Sequence, residues 1–118
     1  MGLAEKLQLK PPGAIAVLGA PDGIDLDLPS AQEAPHADTA DAVLAFVVNA
    51  ADLGTVAAPA VAAARNDRLA WIAYPKAGQL GTDLNRDRLA VAARSLGVQP
   101  VRQVSIDAVW SALRFRPG

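Results

Sequence analysis

The chain has 118 residues, which suits one domain with one compact core and excludes a two-domain enzyme. Just over half of the residues are apolar, but alanine supplies much of that share, so extra burial between copies would add stability and we expect a homo-oligomer. A formal net charge of −1 without a basic cluster argues against nucleic acid as a partner, and zero cysteines with a single histidine argue against a structural metal.

The N-terminal residues 1–13 do not resemble a signal peptide. They carry charges at Glu5, Lys6 and Lys10, where a signal peptide needs a continuous apolar stretch. No later run is long and apolar enough to suggest a membrane span. We therefore expect a cytoplasmic protein that has no membrane partner.

Three short apolar runs predict buried strands, at residues 14–19, 42–48 and 69–74. Continuous apolar character is typical of strands that are covered on both faces, as in a parallel sheet. Between the first two runs, residues 25–41 are acidic and interrupted by proline. There we expect at most a short strand, at residues 26–28.

A helix is predicted between the second and third strands. Apolar residues from Leu53 to Ala64 recur at the spacing of one helix face. Pro59 falls inside that pattern and removes an amide donor. The helix is therefore either kinked at Pro59 or begins a new segment near Ala58.

A second helix is predicted in the run DLNRDRLAVAARSLG, residues 83–97. Thr82 stands directly before it, where a hydroxyl caps free amides. Asp83 complements the positive end of the helix dipole, and Gly97 is suited to the left-handed conformation that ends a helix.

The last two runs, residues 100–106 and 110–116, predict an antiparallel hairpin because the three residues between them are too few for a helical crossover. The order of all these elements predicts the α/β class. We expect one three-layer Rossmann-like domain over residues 1–118, with a mixed sheet of parallel strands and a C-terminal antiparallel hairpin.

This order of elements resembles a pared-down class I methyltransferase fold, in which the final hairpin lies beside the third buried strand. The run LAEKLQLKPPGAIAVLGAPDG resembles the entry to the cofactor loop of that superfamily. The resemblance implies S-adenosylmethionine as a cofactor, with Gly19, Asp22 and Gly23 in the loop. Pro21 stands where the family usually has the middle glycine.

A second resemblance covers nearly the whole chain. The runs WIAYPK, TDLNRD and WSALRFRP resemble the signature of a family of small bacterial proteins catalogued as a domain of unknown function. This resemblance implies the same fold and the same candidate site. It implies no catalytic residue.

The candidate site follows from the position of polar residues after the strands. In open α/β sheets, ligands bind beyond the carboxyl ends of parallel strands, where helix amino ends also point. Lys76 would neutralise an anion there, and Arg86 would pair with a carboxylate or phosphate. The expected ligand-binding residues are Gly19, Asp22, Gly23, Lys76, Thr82, Asp83, Asn85 and Arg86.

A purely structural interpretation of the same residues stays open. Asp83 suits the first turn of a helix, Asn85 suits a turn, and Arg86 can pair with nearby acids at the surface. Helix starts commonly carry these residue types without binding a ligand.

Three functions remain as hypotheses. The first is a noncatalytic or regulatory module that binds a nucleotide-like or anionic metabolite. The second is a homo-oligomeric interaction module, in which Trp110 and Phe115 of the hairpin bury surface against another copy. The third is a methyltransferase relative, although we assign no catalytic residue and expect catalysis less than binding.

Overall fold

The computed structural model describes residues 6–8, 13–21, 24, 40–76 and 78–118. The described residues form five strands: β1 Ile15–Leu18, β2 Ala42–Phe46, β3 Leu69–Pro75, β4 Val98–Ser105 and β5 Trp110–Pro117. They also form two α-helices, α1 Ala58–Arg65 and α2 Arg86–Ser95, and two short 3-10 turns, Ala50–Gly54 and Gln79–Gly81. The strand expected at residues 26–28 falls outside the described residues.

The strands form one mixed sheet in the order β1-β2-β3-β5-β4. β1, β2 and β3 pair in parallel, whereas β5 is antiparallel to both β3 and β4. The predicted α/β class, the mixed sheet and the C-terminal hairpin beside the third strand are therefore confirmed. Among the described residues, no helix has the length and apolar character needed to cross a bilayer.

Both described helices pack on the same face of the sheet, together with Val43, Ile72 and Phe115 from three strands. The chain moves in one direction across the sheet from β2 to β3 and again from β3 to β4. Right-handed crossovers that move in one direction place their helices on one face. On the other face, the described cover includes Leu7. The three-layer arrangement therefore stays a prediction.

Trp110 and Phe115 lie inside the core of the single chain, with 5% and 1% of their surface exposed. Trp110 packs edge-on against Phe46, with ring centroids 5.0 Å apart and an interplanar angle of 81°. Their strand lies between β3 and β4, and the two rings belong to the core clusters on its two faces, Phe115 with the helices and Trp110 with Leu7. In this position neither ring presents surface to a second copy, which removes the support for the expected interface role.

Helix α1 begins at Ala58, which confirms the alternative that a new helical segment begins there and excludes a helix kinked at Pro59. Pro59 lies in its first turn. An amide donor has no intrahelical partner there, and the fixed φ of proline suits the helix, so the proline begins the helix without breaking it.

Helix α2 begins at Arg86, three residues later than predicted. The cap is Asn85, whose Oδ1 accepts a hydrogen bond of 2.8 Å from the Arg88 amide. The prediction that Thr82 caps this helix is therefore wrong, and Asp83 lies outside the first helical turn. The predicted C-terminal glycine is confirmed, because Gly97 has a φ of 87° directly after the last turn.

Candidate functional site

An open pocket of about 750 Å³ lies where β3 ends and α2 begins. Three parts of the fold supply its walls: the end of β3, the first residues of α2 and the hairpin of β4 and β5. It is lined by Tyr74, Lys76, Asn85, Arg86, Asp87, Gln103, Val104, Ser105 and Ser111. Three of the residues predicted for ligand binding are in this set: Lys76, Asn85 and Arg86.

Tyr74 provides a buried phenol on the strand side of the pocket. It lies opposite Ser111 in the register of β3 and β5, and the side-chain amide of Gln103 donates a hydrogen bond of 3.3 Å to its oxygen. Burial raises the pKa of Tyr74 above its usual value, against the lowering effects of the nearby Arg86 charge and of a hydrogen bond with Ser111. The phenol is therefore protonated at neutral pH and can act as a hydrogen-bond donor.

Two ammonium groups converge on Ser105 at the end of β4. The Nζ atom of Lys76 donates a hydrogen bond of 2.9 Å to the hydroxyl of Ser105, and Nζ of Lys6 donates one of 3.2 Å to its backbone carbonyl. The Lys76 amide also donates to the Val109 carbonyl at 2.7 Å, which fixes the backbone of Lys76 against the hairpin. The fold thus holds positive charge at one end of the pocket.

The first turn of α2 supplies a second cation at the rim. The Nη1 atom of Arg86 lies 3.8 Å from Oδ1 of Asp87, and both side chains are well exposed. An ion pair this long and this exposed contributes little free energy. The guanidinium of Arg86 can therefore exchange this contact for a ligand oxyanion at small cost, whereas Asn85 is engaged in capping the helix.

Thr82 and Asp83 do not line the pocket. The Thr82 hydroxyl donates to the Val48 carbonyl and accepts a hydrogen bond of 3.0 Å from the Leu84 amide. Oδ1 of Asp83 accepts a hydrogen bond of 2.9 Å from the Ala50 amide. Both residues therefore join this loop to the chain that follows β2, and the structure gives them a role in folding instead of the expected contact with the ligand.

Gly19 is explained by packing. It has a φ of 68°, and a Cβ atom at this position would lie 2.7 Å from Cγ1 of Val56 and 3.0 Å from the Phe46 carbonyl oxygen. The close packing of Val56 and Phe46 thus leaves no room for a side chain at position 19, which explains the glycine without a ligand. Gly19 does not line the pocket. The other two residues expected in this loop, Asp22 and Gly23, lie outside the described residues.

The residues of the hairpin that line the pocket were not predicted from the sequence. Gln103, Ser105 and Ser111 line the pocket because the hairpin packs beside β3 in a particular register. One local signal was available: Ser111 is a polar residue between the apolar residues Trp110 and Ala112. In the structure it is buried. Its proximity to Tyr74 depends on strand order, which the sequence pattern alone does not specify.

Comparison with models of known protein families and with curated proteins found no match. The two resemblances described above therefore stay predictions. What the site can bind is argued from its geometry and charge.

Proposed function

We propose that this protein is a noncatalytic or regulatory module of Rossmann-like fold that binds a small anionic or nucleotide-like metabolite in the pocket between β3, α2 and the hairpin. One observation carries the proposal. The cations Lys76 and Arg86 line the same open pocket as the hydroxyls of Tyr74, Ser105 and Ser111.

The charges of the pocket favour a ligand that carries a phosphate or carboxylate. Its lining includes two cations and one carboxylate, that of Asp87. The exposed carboxylate faces Arg86 at 3.8 Å, so an incoming oxyanion competes with a weak contact. Arginine offers paired donors to an oxyanion, and lysine offers a point charge. The ligand would thus place its acidic group between Lys76 and Arg86.

The neutral part of the pocket favours binding over chemistry. Tyr74 is protonated at neutral pH, as tyrosine ordinarily is, and burial raises its pKa further, which makes it a donor and not a base. Gln103 and the two serines add donors and acceptors of the kind that recognise hydroxyls or ring nitrogens. A nucleotide-like molecule combines both kinds of group in one ligand.

The test is a thermal-shift screen of the protein with nucleotides, sugar phosphates, small carboxylates and S-adenosylmethionine. A ligand at a hundredfold excess over its dissociation constant stabilises the folded state by about 2.7 kcal/mol. We expect one ligand class to raise the unfolding temperature, and we expect Lys76→Ala and Arg86→Ala each to abolish that rise.

The matched control is Arg94→Ala, which removes the same charge from the last turn of the same helix, outside the pocket. It should keep the full ligand-induced shift. A shift that survives Lys76→Ala and Arg86→Ala, or a flat response across the whole panel, would contradict binding at this pocket. A shift with S-adenosylmethionine alone would favour the methyltransferase relative over an anion-binding module.

A further inference from the structure

The outer edge of β4, Val98–Ser105, pairs with no other strand in the described part of the chain. β4 is the last strand in the order of the sheet, and β5 lies on its inner side. The backbone N–H and C=O groups on the outer side of an edge strand can form hydrogen bonds with an added strand. An extended chain can therefore bind at this edge through its backbone.

Helix α2 lies beside β4, and the two elements form a groove. Each end of the groove is a cavity lined by residues of both elements. The ligand pocket described above is at one end, where it is lined by Asp87 of the first helical turn and by Gln103. A second cavity of about 320 Å³ is at the other end, where it is lined by Arg94 of the last turn and by Gln99. The groove therefore runs the length of α2.

Two exposed apolar side chains lie midway along the groove. Val91 is on the same side of α2 as the two helix residues just named, because it follows the first by four positions and precedes the second by three. In β4, Val101 lies between the two strand residues just named, at an irregularity of the register. Val91 is 65% exposed and Val101 is 48% exposed. Apolar side chains that stay exposed on one surface are typical of a contact with a partner.

The side chains along the groove carry a positive net charge. β4 contains no acidic residue, and its Arg102 is exposed. On α2, Arg86 and Arg94 line the two cavities, and Asp87 is the one acidic residue of the helix. Charge complementarity therefore favours an acidic partner. It disfavours a second copy of this chain at the same edge, because two β4 strands would bring together positive charges without a carboxylate.

Pro100 limits how much of the edge can pair. Proline has no N–H group, and the register shift that follows it bends the strand, so pairing with a long flat strand is hindered. Residues 102–105 keep a regular register with β5. At their end, the Ser105 carbonyl already accepts a hydrogen bond of 3.2 Å from Nζ of Lys6. The edge therefore suits a short segment that pairs beside residues 102–104.

We propose that the groove between α2 and the edge of β4 binds a short acidic segment of a partner protein, which adds to the sheet as an extended strand. Gln103 projects toward α2, with which it lines a cavity, so its neighbour Arg102 projects from the opposite face. The bound segment would place acidic residues beside Arg102 and apolar residues toward Val91 of α2. This function does not depend on the metabolite proposed above, because neither Arg102 nor Val91 lines the ligand pocket.

The probe is a dye-labelled peptide with a core of alternating glutamate and valine, flanked by serine and glycine. A second peptide has lysine in place of each glutamate. Fluorescence anisotropy measures the binding of each peptide at concentrations up to about 1 mM, which detects a weak, millimolar dissociation constant. We expect saturable binding of the acidic peptide only. Hydrogen exchange followed by NMR should then show slower exchange of backbone amides in residues 102–104, because an added strand protects the edge.

Variants at exposed positions, which should keep the fold, test the two kinds of contact. Arg102→Glu should weaken binding of the acidic peptide about tenfold and should permit binding of the lysine peptide. Val91→Glu should also weaken binding of the acidic peptide, because it removes an apolar contact and adds a like charge. Leu80→Glu is its matched control, since Leu80 is 58% exposed and does not belong to α2 or β4. This control should bind the acidic peptide as the parent does.

The result is independent of the ligand pocket, because Lys76→Ala should abolish metabolite binding and keep peptide binding. The proposal is overturned if the acidic peptide does not bind, if the two peptides bind equally, or if Arg102→Glu and Val91→Glu bind as the parent does. It is also overturned if the protein sediments as a dimer whose β4 amides are protected without peptide. That outcome would assign the edge to a second copy.

Discussion

Asp83 and Ala50, which are 33 positions apart, are joined by a hydrogen bond of 2.9 Å from the Ala50 amide to the Asp83 carboxylate. The Asp83 amide in turn donates to Oδ1 of Asn49 at 3.3 Å. This reciprocal pair ties the loop before α2 to the turn after β2. A residue that looked suited to ligand binding thus positions the helix whose first turn lines the pocket.

Replacing Asp83 should therefore lower stability without weakening ligand binding directly. Loss of a charge-assisted hydrogen bond near the surface costs about 1 kcal/mol, so we expect Asp83→Ala to lower the unfolding temperature by about 4 °C. Asp87→Ala is the matched control, because its carboxylate is 92% exposed and its 3.8 Å contact with Arg86 contributes little free energy. Equal effects of the two substitutions would contradict the structural role of Asp83.

Gly19 and Gly81 offer a comparison between packing and backbone conformation. Both have a positive φ, 68° and 65°, but only Gly19 has neighbouring atoms within 4 Å of the position of a Cβ atom. We expect Gly81→Ala to cost about 1 kcal/mol from the left-handed conformation alone, and Gly19→Ala to cost about 2 to 4 kcal/mol because overpacking is added. Chemical denaturation would measure both. If Gly19→Ala lowers the free energy of unfolding by no more than Gly81→Ala does, Val56 and Phe46 move aside at little cost and the overpacking argument is wrong.

The pair of Asp67 and Arg116 predicts a dependence of stability on pH. The hydrogen bond from Arg116 lowers the pKa of Asp67 below its usual value in the folded state. A lowered pKa contributes stability above the unfolded value, about 3.9, and that contribution is lost as the pH falls through the folded value. Asp67→Asn suits the test because asparagine tolerates the φ of 57° at this position.

We expect Asp67→Asn to be less stable than the parent at neutral pH, and we expect the difference to shrink as the pH falls through the folded pKa of Asp67, in urea titrations at low salt. Because the pair is exposed, added salt should reduce the difference at neutral pH. A difference that persists in acid would assign the effect to the backbone conformation of residue 67 and not to the ion pair.

Tyr74 is the only tyrosine of the chain, so its titration can be followed directly by tyrosinate absorbance. Burial raises its pKa, and we expect the absorbance midpoint to lie above the usual value of about 10. The raised value contributes stability that is fully present below that pH and is lost as the pH rises through the folded pKa. Tyr74→Phe should remove this alkaline loss of stability. A midpoint at or below the usual value would contradict burial of the phenol.

Much of the fold could be predicted because its signals are local. The continuous apolar runs at 14–19 and 42–48 each contain a strand, and the run at 69–74 covers all of β3 except its last residue, Pro75. Pro59 reduced the start of the first helix to two alternatives, a kink or a new start near Ala58, and the structure has the start at Ala58, with the proline in the first turn. The three residues between the last two runs were enough to predict the hairpin, because a helix cannot fit between them.

The start of α2 could not be decided locally. The run TDLN offers two capping residues three positions apart, and both Thr82 and Asn85 suit an N-cap. A contact between residues distant in sequence decides which of the two is the cap. The Thr82 hydroxyl donates a hydrogen bond to the Val48 carbonyl, and Asn85 caps the helix. The site residues Gln103 and Ser111 were missed for the same reason, since their places depend on strand register.

The position of β5 in the sheet has a consequence for how the chain folds during synthesis. β5 follows the other four strands along the chain, yet it lies between β3 and β4. The backbone of Ala70 therefore cannot pair with that of Phe115 until Phe115 has been synthesised. A nascent chain that has emerged only as far as Ser105 exposes one edge of β3 and holds β4 without a neighbour, so the second half of the sheet closes in one late step.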